Sequence, residues 1–410
     1  MLADPDTGPG MVNAMKEARK AAGISPVEDI RDWFSGAIFC KLVELGYFST
    51  NMWVALSILT DGFQAWRQCG FEEWPIIITI LSADPSSRVQ VVSQIIVGIT
   101  PGPVQPVDLE SFLHPIAEEL DVLAAGVSGV TVAGFSEPQV VQAIVLQFTT
   151  DMPAGDRLLN AIGGNGEHLG RFRDFAGVWH KRRYYHPPHA PDDPPPSKHP
   201  HFDVRGESTP RRTAASVSAI VATVEDVRRA GGSKTAIRAL AQKEGLKGYS
   251  LFICPSPEDK ARYPSLKYLW DIGPDLLPYD TMHLFLLNVV PSLWGLFSGE
   301  NEKLDDAQPC IIPKAVRECI GREMKTGRKT IPLSQVRSLR DIRKHSCSSK
   351  AVDWMYFLLR TGEAVRADRI PEDFFKMFML LCHAGRLIFK PGVLTETELH
   401  EVDKLLRRFC

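Results

Sequence analysis

The sequence is short of several things that would narrow its role at once. Its eight cysteines, Cys40, Cys69, Cys254, Cys310, Cys319, Cys347, Cys382 and Cys410, are scattered. No two stand at Cys-x-x-Cys spacing, which argues against a structural zinc site. Charge of one sign is not in excess: 47 basic residues face 49 acidic ones, for a formal net charge of −2. A uniformly basic nucleic-acid-binding surface is thereby excluded, and any contact with DNA must come from local basic patches. No apolar run reaches the roughly 20 residues that cross a bilayer, so no membrane partner is expected. The longest candidates, Ile76 to Leu81 and Val140 to Phe148, are strand-sized. The first twenty residues are polar and lack an apolar core. They predict no secretory signal, and the thiols are expected to be free, in cytosol or nucleus.

What is there is an ordinary globular composition, 44% hydrophobic and 23% charged, over 410 residues. That length allows two or three domains and a large core. Residues 1–50 read as an N-terminal helical segment, with Ile30, Trp33, Phe34, Ile38 and Leu42 on a helical period. From Met52 the period changes to two: Val54, Leu56 and Ile58 alternate up to Thr60, Asp61 and Gly62. This predicts a strand ending in an acid. Two further strands are expected at Pro75 to Leu81 and Val89 to Ile99. An amphipathic helix follows over Asp108 to Ala125, with Asp108 as a candidate cap. A fourth strand, Val140 to Thr149, again runs into an acid, Asp151.

Three strands, a helix and a strand suggest an antiparallel meander and then a crossover into a strand parallel to the first. Asp61 and Asp151 would then share one end of neighbouring strands, where ligands of such sheets gather. The fold class expected is α/β: a ribonuclease-H-like mixed sheet core, its first part over 51–165, with a mainly helical C-terminal region. Residues 166–275 carry a basic loop, a Pro-rich linker and an insertion. Residues 276–410 are helical and could complete the core. The chain ends inside an amphipathic pattern with no capping signal, which suggests a truncated C-terminus.

The chemistry resides in the acids. Phosphodiester cleavage needs an activated oxygen nucleophile and a way to hold charge on the leaving oxygen. Two Mg²⁺ ions about 3.5–4 Å apart do both, and carboxylates are the hard ligands they prefer. Asp61 and Asp151 therefore stand as metal ligands or, alternatively, as turn starters and helix caps. Asp280 stands as a third ligand or as the cap of the apolar helix Leu284 to Phe297. His283, one turn inside, is either a metal or phosphate contact or a satisfied, half-buried histidine. Glu318 and Glu323 are fallback acids. Arg171, Arg173, Lys181, Arg182 and Arg183 could neutralise phosphates, and Tyr184 could stack on an unpaired base. The competing reading is a solvated charge cluster beside a linker.

Four segments, taken in order, resemble a known family: Thr60-Asp61-Gly62-Phe63-Gln64-Ala65-Trp66, Gly98-Ile-Thr-Pro-Gly-Pro103, Thr150-Asp151-Met152-Pro153-Ala154-Gly155 and Leu277-Pro-Tyr-Asp-Thr-Met-His283. They resemble the transposases of CACTA (En/Spm)-type elements, especially the Plavaka-like copies of mushroom-forming fungi, over roughly residues 50–400. The resemblance implies a DDE/D-type DNA transposase, here a fragment, acting in the nucleus. It would use Mg²⁺ or Mn²⁺ to cut and join DNA at terminal inverted repeats, with self-association as a further expectation. Carried over residue by residue, Asp61 is the first acid, Asp151 the second, and Asp280 and His283 match the Asp-x-Met-His motif. The sequence departs from many relatives in having no Cys-x-x-Cys pair after the second acid. The alternative is a catalytically inactive, domesticated DNA-binding or scaffold protein.

Overall fold

A run of residues buried on both faces makes the centre of this fold. Trp53, Val54, Ala55, Leu56, Ser57 and Ile58 are all buried, which requires a strand covered on each side. The computed structural model describes residues 1–22, 31–48, 52–62, 73–100, 102, 106, 108–162, 178–179, 182–183, 212–278, 280–299, 310–327, 341–362, 369 and 371–409. The central strand β1 is Met52–Thr60. Strand β2, Trp74–Ile80, alternates instead: Trp74, Ile76, Ile78 and Ile80 are buried and the residues between them are half-buried. Strand β3 is Gln94–Thr100. The expected strand from Val89 starts later, because Val91–Ser93 winds into a 3-10 turn first. Helix α1 (Gly8–Ala22) and helix α2 (Ala37–Glu44) bring Met11, Met15, Phe39 and Leu42 into the same core as the sheet.

Helix α3, Glu110–Ala125, is the crossover. Leu109 rather than Asp108 is its capping residue, although the Asp108 carboxylate accepts from Ser111 N at 3.3 Å. A short strand that the sequence pattern did not signal, β4 (Val127–Val130), follows and pairs antiparallel with β5 (Gln139–Thr149). The five strands order as β3-β2-β1-β5-β4, with β1 antiparallel to β2 and parallel to β5. The architecture is thus mixed α/β around one mixed sheet. Helix α4, Met152–Leu158, leaves β5 directly.

Helices α5 (Ala214–Arg229) and α6 (Lys234–Glu244) are separate, as Gly231-Gly232 predicts. Thr213 and Ser233 cap their first turns. Helices α7 (Pro257–Arg262) and α8 (Lys267–Ile272) then return to the sheet. Tyr268 of α8 is fully buried, and its phenol oxygen accepts from Val145 N of β5 at 2.9 Å. Burial pushes the Tyr268 hydroxyl far above its ordinary pKa. Tyr268→Phe should leave the Val145 N–H without a partner, a loss of about 1–3 kcal/mol; urea unfolding reads it directly.

Glu110, at the start of α3, accepts from Leu251 N at 2.9 Å. Burial raises its pKa above the ordinary 4.5, more than the Leu251 bond lowers it. The unfolded chain therefore gives up this proton at lower pH than the folded one. Stability from this group is greatest when it is protonated and falls as pH rises from 4.5 through the raised folded value. Glu110→Gln should keep the Leu251 bond and flatten that part of the curve of urea midpoint against pH.

The chain divides into two compact units, Met1–Val27 with Asp32–Tyr279, and Glu28–Arg31 with Asp280–Cys410. The second unit opens on a π-helix, Met282–Val289, which runs into α9 (Val290–Ser298). It continues through α10 (Lys314–Gly327), α11 (Ile342–His345) and α12 (Ala351–Tyr356). A second π-helical turn, Phe357–Thr361, leads on to α13 (Glu372–Ile388) and α14 (Glu396–Phe409). Its core is aromatic: Trp294 meets Phe357 edge-on at 5.7 Å, and Phe357 lies 5.8 Å from Phe378. Gly385 lets α13 close on this core, since a Cβ there would come within 2.7 Å of Leu358.

Candidate functional site

The first unit presents two acids at one end of its sheet. Asp61 is the first residue beyond β1, and Asp151 is two residues beyond β5. The two strands run parallel, so both acids stand at carboxyl ends. Register decides whether they also share a face. From Met52–Val141 to Leu56–Val145 the pairing offset is 89, and from Ser57–Gln147 to Leu59–Thr149 it is 90. The change is a β-bulge that leaves Leu146 outside the ladder. Carried two residues past Leu59–Thr149, the later register sets Asp61 opposite Asp151. The earlier one would have set Thr150 there, and a one-residue slip turns a side chain to the other face. Bulges recur beside functional sites for this reason.

Part of the face leading to the acids is polar, around Leu59. Ser57 Oγ and Thr149 Oγ1 are 2.9 Å apart, and Gln147 Nε2 donates to Thr149 Oγ1 at 3.2 Å. On the reverse face Thr60 and Thr150 are buried. Among the described residues their Oγ1 atoms and Trp74 Nε1 have no hydrogen-bond partner. Leaving such a group unpaired costs about 1–3 kcal/mol. Gly62 packs closely beside Asp61: a Cβ there would come 3.0 Å from the Trp74 ring, tighter than most Cβ contacts.

Asp151 also caps α4, accepting from Ala154 N at 2.8 Å. The cap fixes the carboxylate through one oxygen, Oδ1. Two half-exposed carboxylates on adjacent strand tips are hard oxygen donors. They could hold Mg²⁺, which takes one or two carboxylates and completes its shell with water and phosphate oxygens. Among the described residues no group of three or more His, Cys, Asp or Glu is arranged to hold a metal.

Two cations near this end were not reached by sequence reading. Arg157 lies one and a half turns along α4 from Asp151. Its guanidinium sits 5.1 Å over the Trp74 ring and donates to Pro106 O at 2.9 Å. Lys247 follows the end of α6, where Lys247 N donates to Asn160 O at 2.9 Å. Burial, and then Arg157, hold the Lys247 ammonium below its ordinary pKa, with Asp156 opposing them. Neither carries a sequence signal: Arg157, six residues past Asp151, is off its helical face, and it reaches this end through Trp74 and Pro106.

Asp280 and His283 belong to the second unit, and there they form a pair of their own. Asp280 Oδ1 accepts from His283 N at 3.1 Å, and Oδ2 lies 2.8 Å from His283 Nδ1. A carboxylate only accepts, so Nδ1 carries a proton. The pair sits where the π-helix begins: Val290 N donates five residues back, to Phe285 O. π-helical geometry is rare, and where it occurs it is frequently at functional sites; here it runs over eight residues. Asp280 is thus a cap and a histidine partner together.

Glu318 accepts from Arg343 at 3.0 Å, and Glu323 takes both guanidinium nitrogens of Arg369 at 2.8 Å. These ion pairs explain both residues without a metal. Arg182 and Arg183 form a two-residue strand paired with Val178–Trp179. Arg171, Arg173, Lys181 and Tyr184 lie outside the described residues. No helix among the described residues is long and apolar enough to cross a membrane. Set beside known proteins, the sequence matches no family model and no curated protein.

Proposed function

We propose that the first unit is a ribonuclease-H-like nuclease core of a DDE/D-type DNA transposase, related to the CACTA elements that its motifs resemble. The observation that supports this reading is the register of β1 with β5: continued two residues past its last pair, Leu59–Thr149, the pairing beyond the bulge would set Asp61 opposite Asp151 at the tips of adjacent parallel strands. The strand order, with a three-strand meander beside a parallel fourth position, supports the same fold. The short β4 occupies the edge beyond β5, which is a departure from a simple version of it.

Asp61 and Asp151 would bind the divalent cation, Mg²⁺ or Mn²⁺. Bound there, it would neutralise phosphate charge and activate the attacking oxygen. The cap bond from Ala154 orients Asp151 before any ligand arrives. Arg157 and Lys247 would hold flanking phosphates, and the basic run Lys181, Arg182 and Arg183 is a further candidate DNA contact on its sequence alone. The substrate is DNA at terminal inverted repeats, which places the protein in the nucleus, and self-association would bring two ends together.

A second reading is favoured by one observation. Asp151 and Asp280 both act as helix caps, a role that survives loss of catalysis. On that reading the chain is a domesticated DNA-binding or scaffold protein. The discriminating experiment is nicking of DNA bearing the element's ends, with and without Mg²⁺. Cleavage that needs the metal supports the transposase reading; DNA binding with no cleavage in Mg²⁺ or Mn²⁺ favours the scaffold.

A further inference from the structure

We propose that the outer edge of β3 is a self-association surface, on which a second copy of this chain docks strand to strand and antiparallel. Strand β3 closes one end of the sheet. Among the described residues, no backbone hydrogen bond reaches it from any strand other than β2. Edge strands of monomers are normally blunted by charge, by proline or by shortness. This one is not: residues 89–100 contain no Asp, Glu, Lys, Arg or Pro. The preceding charge, Arg88, is held by Asp32 through bonds of 2.7 and 2.8 Å.

Large aliphatic side chains along this stretch stand in solvent. Val89 is 79% exposed, Val91 87%, Val92 49%, Ile95 48%, Ile96 63% and Ile99 54%. Scattered single apolar residues need no explanation, but here six fall within twelve positions at one sheet edge, with Ile96 and Ile99 on one face of the strand and Ile95 on the other, so the edge is flanked by exposed aliphatic surface on both sides. The opposite edge is managed differently, since β4 is only four residues long.

Charge decides the occupant. A charged peptide laid along this edge would bury its charges against valine and isoleucine with nothing to pair them. An uncharged, β-branched strand suits it, and the chain's own β3 is such a strand. Antiparallel pairing about a two-fold axis lets each copy satisfy the same backbone groups of the other. No charge can meet a like charge in any register, because the stretch has none. Cross-strand pairs share a face. The row Ile96–Ile77–Leu59 therefore lies on the face that carries Asp61, two residues beyond Leu59. The two five-stranded sheets would join into one, with both acid pairs on the same side. The inference stands whether or not the protein cuts DNA.

Sedimentation equilibrium of the full chain tests it. The expected result is a dimer that dissociates on dilution. Ile96→Lys should shift the mass to monomer with an unchanged circular-dichroism spectrum, because that side chain stands mostly in water already. Val122→Lys, at a position 60% exposed on α3, should remain dimeric. Amide exchange at residues 94–100 should be slow in the dimer and fast in Ile96→Lys. A wild-type monomer at the highest soluble concentration overturns the proposal. So does equal loss of mass in the two lysine variants, open-ended association, or a dimer whose β3 amides exchange as fast as those of the monomer.

Discussion

Asp61→Asn and Asp151→Asn should each lower Mg²⁺-dependent nicking by about 10³-fold or more, since a metal-held transition state is worth several kcal/mol. Asparagine keeps the shape of the side chain and removes the charge that a divalent cation requires. The Asp151 variant is the more informative of the two. That carboxylate caps α4 through Ala154 N, and asparagine caps helices about as well as aspartate. Thermal unfolding should therefore be nearly unchanged while cleavage disappears. Asp151→Ala should lose cleavage and in addition about 1 kcal/mol of stability with the cap. If Asp151→Asn nicks DNA at the wild-type rate, the carboxylate is a cap alone and the proposed metal site is wrong.

Phe148→Ala should give the largest loss of stability, about 3–5 kcal/mol. Phe148 is 0% exposed and lies 5.3 Å from the Phe252 ring. It is also the residue after Gln147, where β5 resumes its pairing with β1 beyond the bulge. A cavity here would loosen the segment whose register aligns the two acids. The variant should thus lose cleavage even at temperatures where most molecules are folded. Denaturant unfolding measures the first effect; nicking well below the unfolding midpoint measures the second. An unfolding free energy within about 1 kcal/mol of wild type would mean that this core collapses readily around the gap, against the packing of Phe148 on Phe252.

Local pattern carried much of the architecture. Alternation marked β1, an apolar run stopped by a turn marked β2, helical spacing marked α3, α13 and α14, and Gly231-Gly232 marked the break between α5 and α6. These features depend on residues within a few positions of one another, so a window of sequence holds them. The acids were legible for the same reason: each follows a recognisable strand and precedes a turn former. Val91–Ser93 was not legible, because an apolar run reads as strand whether it is extended or wound into a turn. Nor was β4, four residues containing a serine and a glycine, whose pairing with β5 is its only distinguishing property. Arg157 and Lys247 come near the same end through the packing of α4 against the segment after α6.

By itself the sequence determined which residue types were on hand: a central apolar strand, two acids at strand ends, an uncharged aliphatic stretch at residues 89–100. Only the tertiary structure decided what they face. The bulge at Leu146 is a property of two strands paired across some 90 positions, and neither strand alone contains it. The same holds for the exposure of Ile96 and Ile99, which a sequence window reads as core. Hydrophobicity states what a side chain would gain by burial; which side chains obtain it depends on which strand ends up at the edge of the sheet.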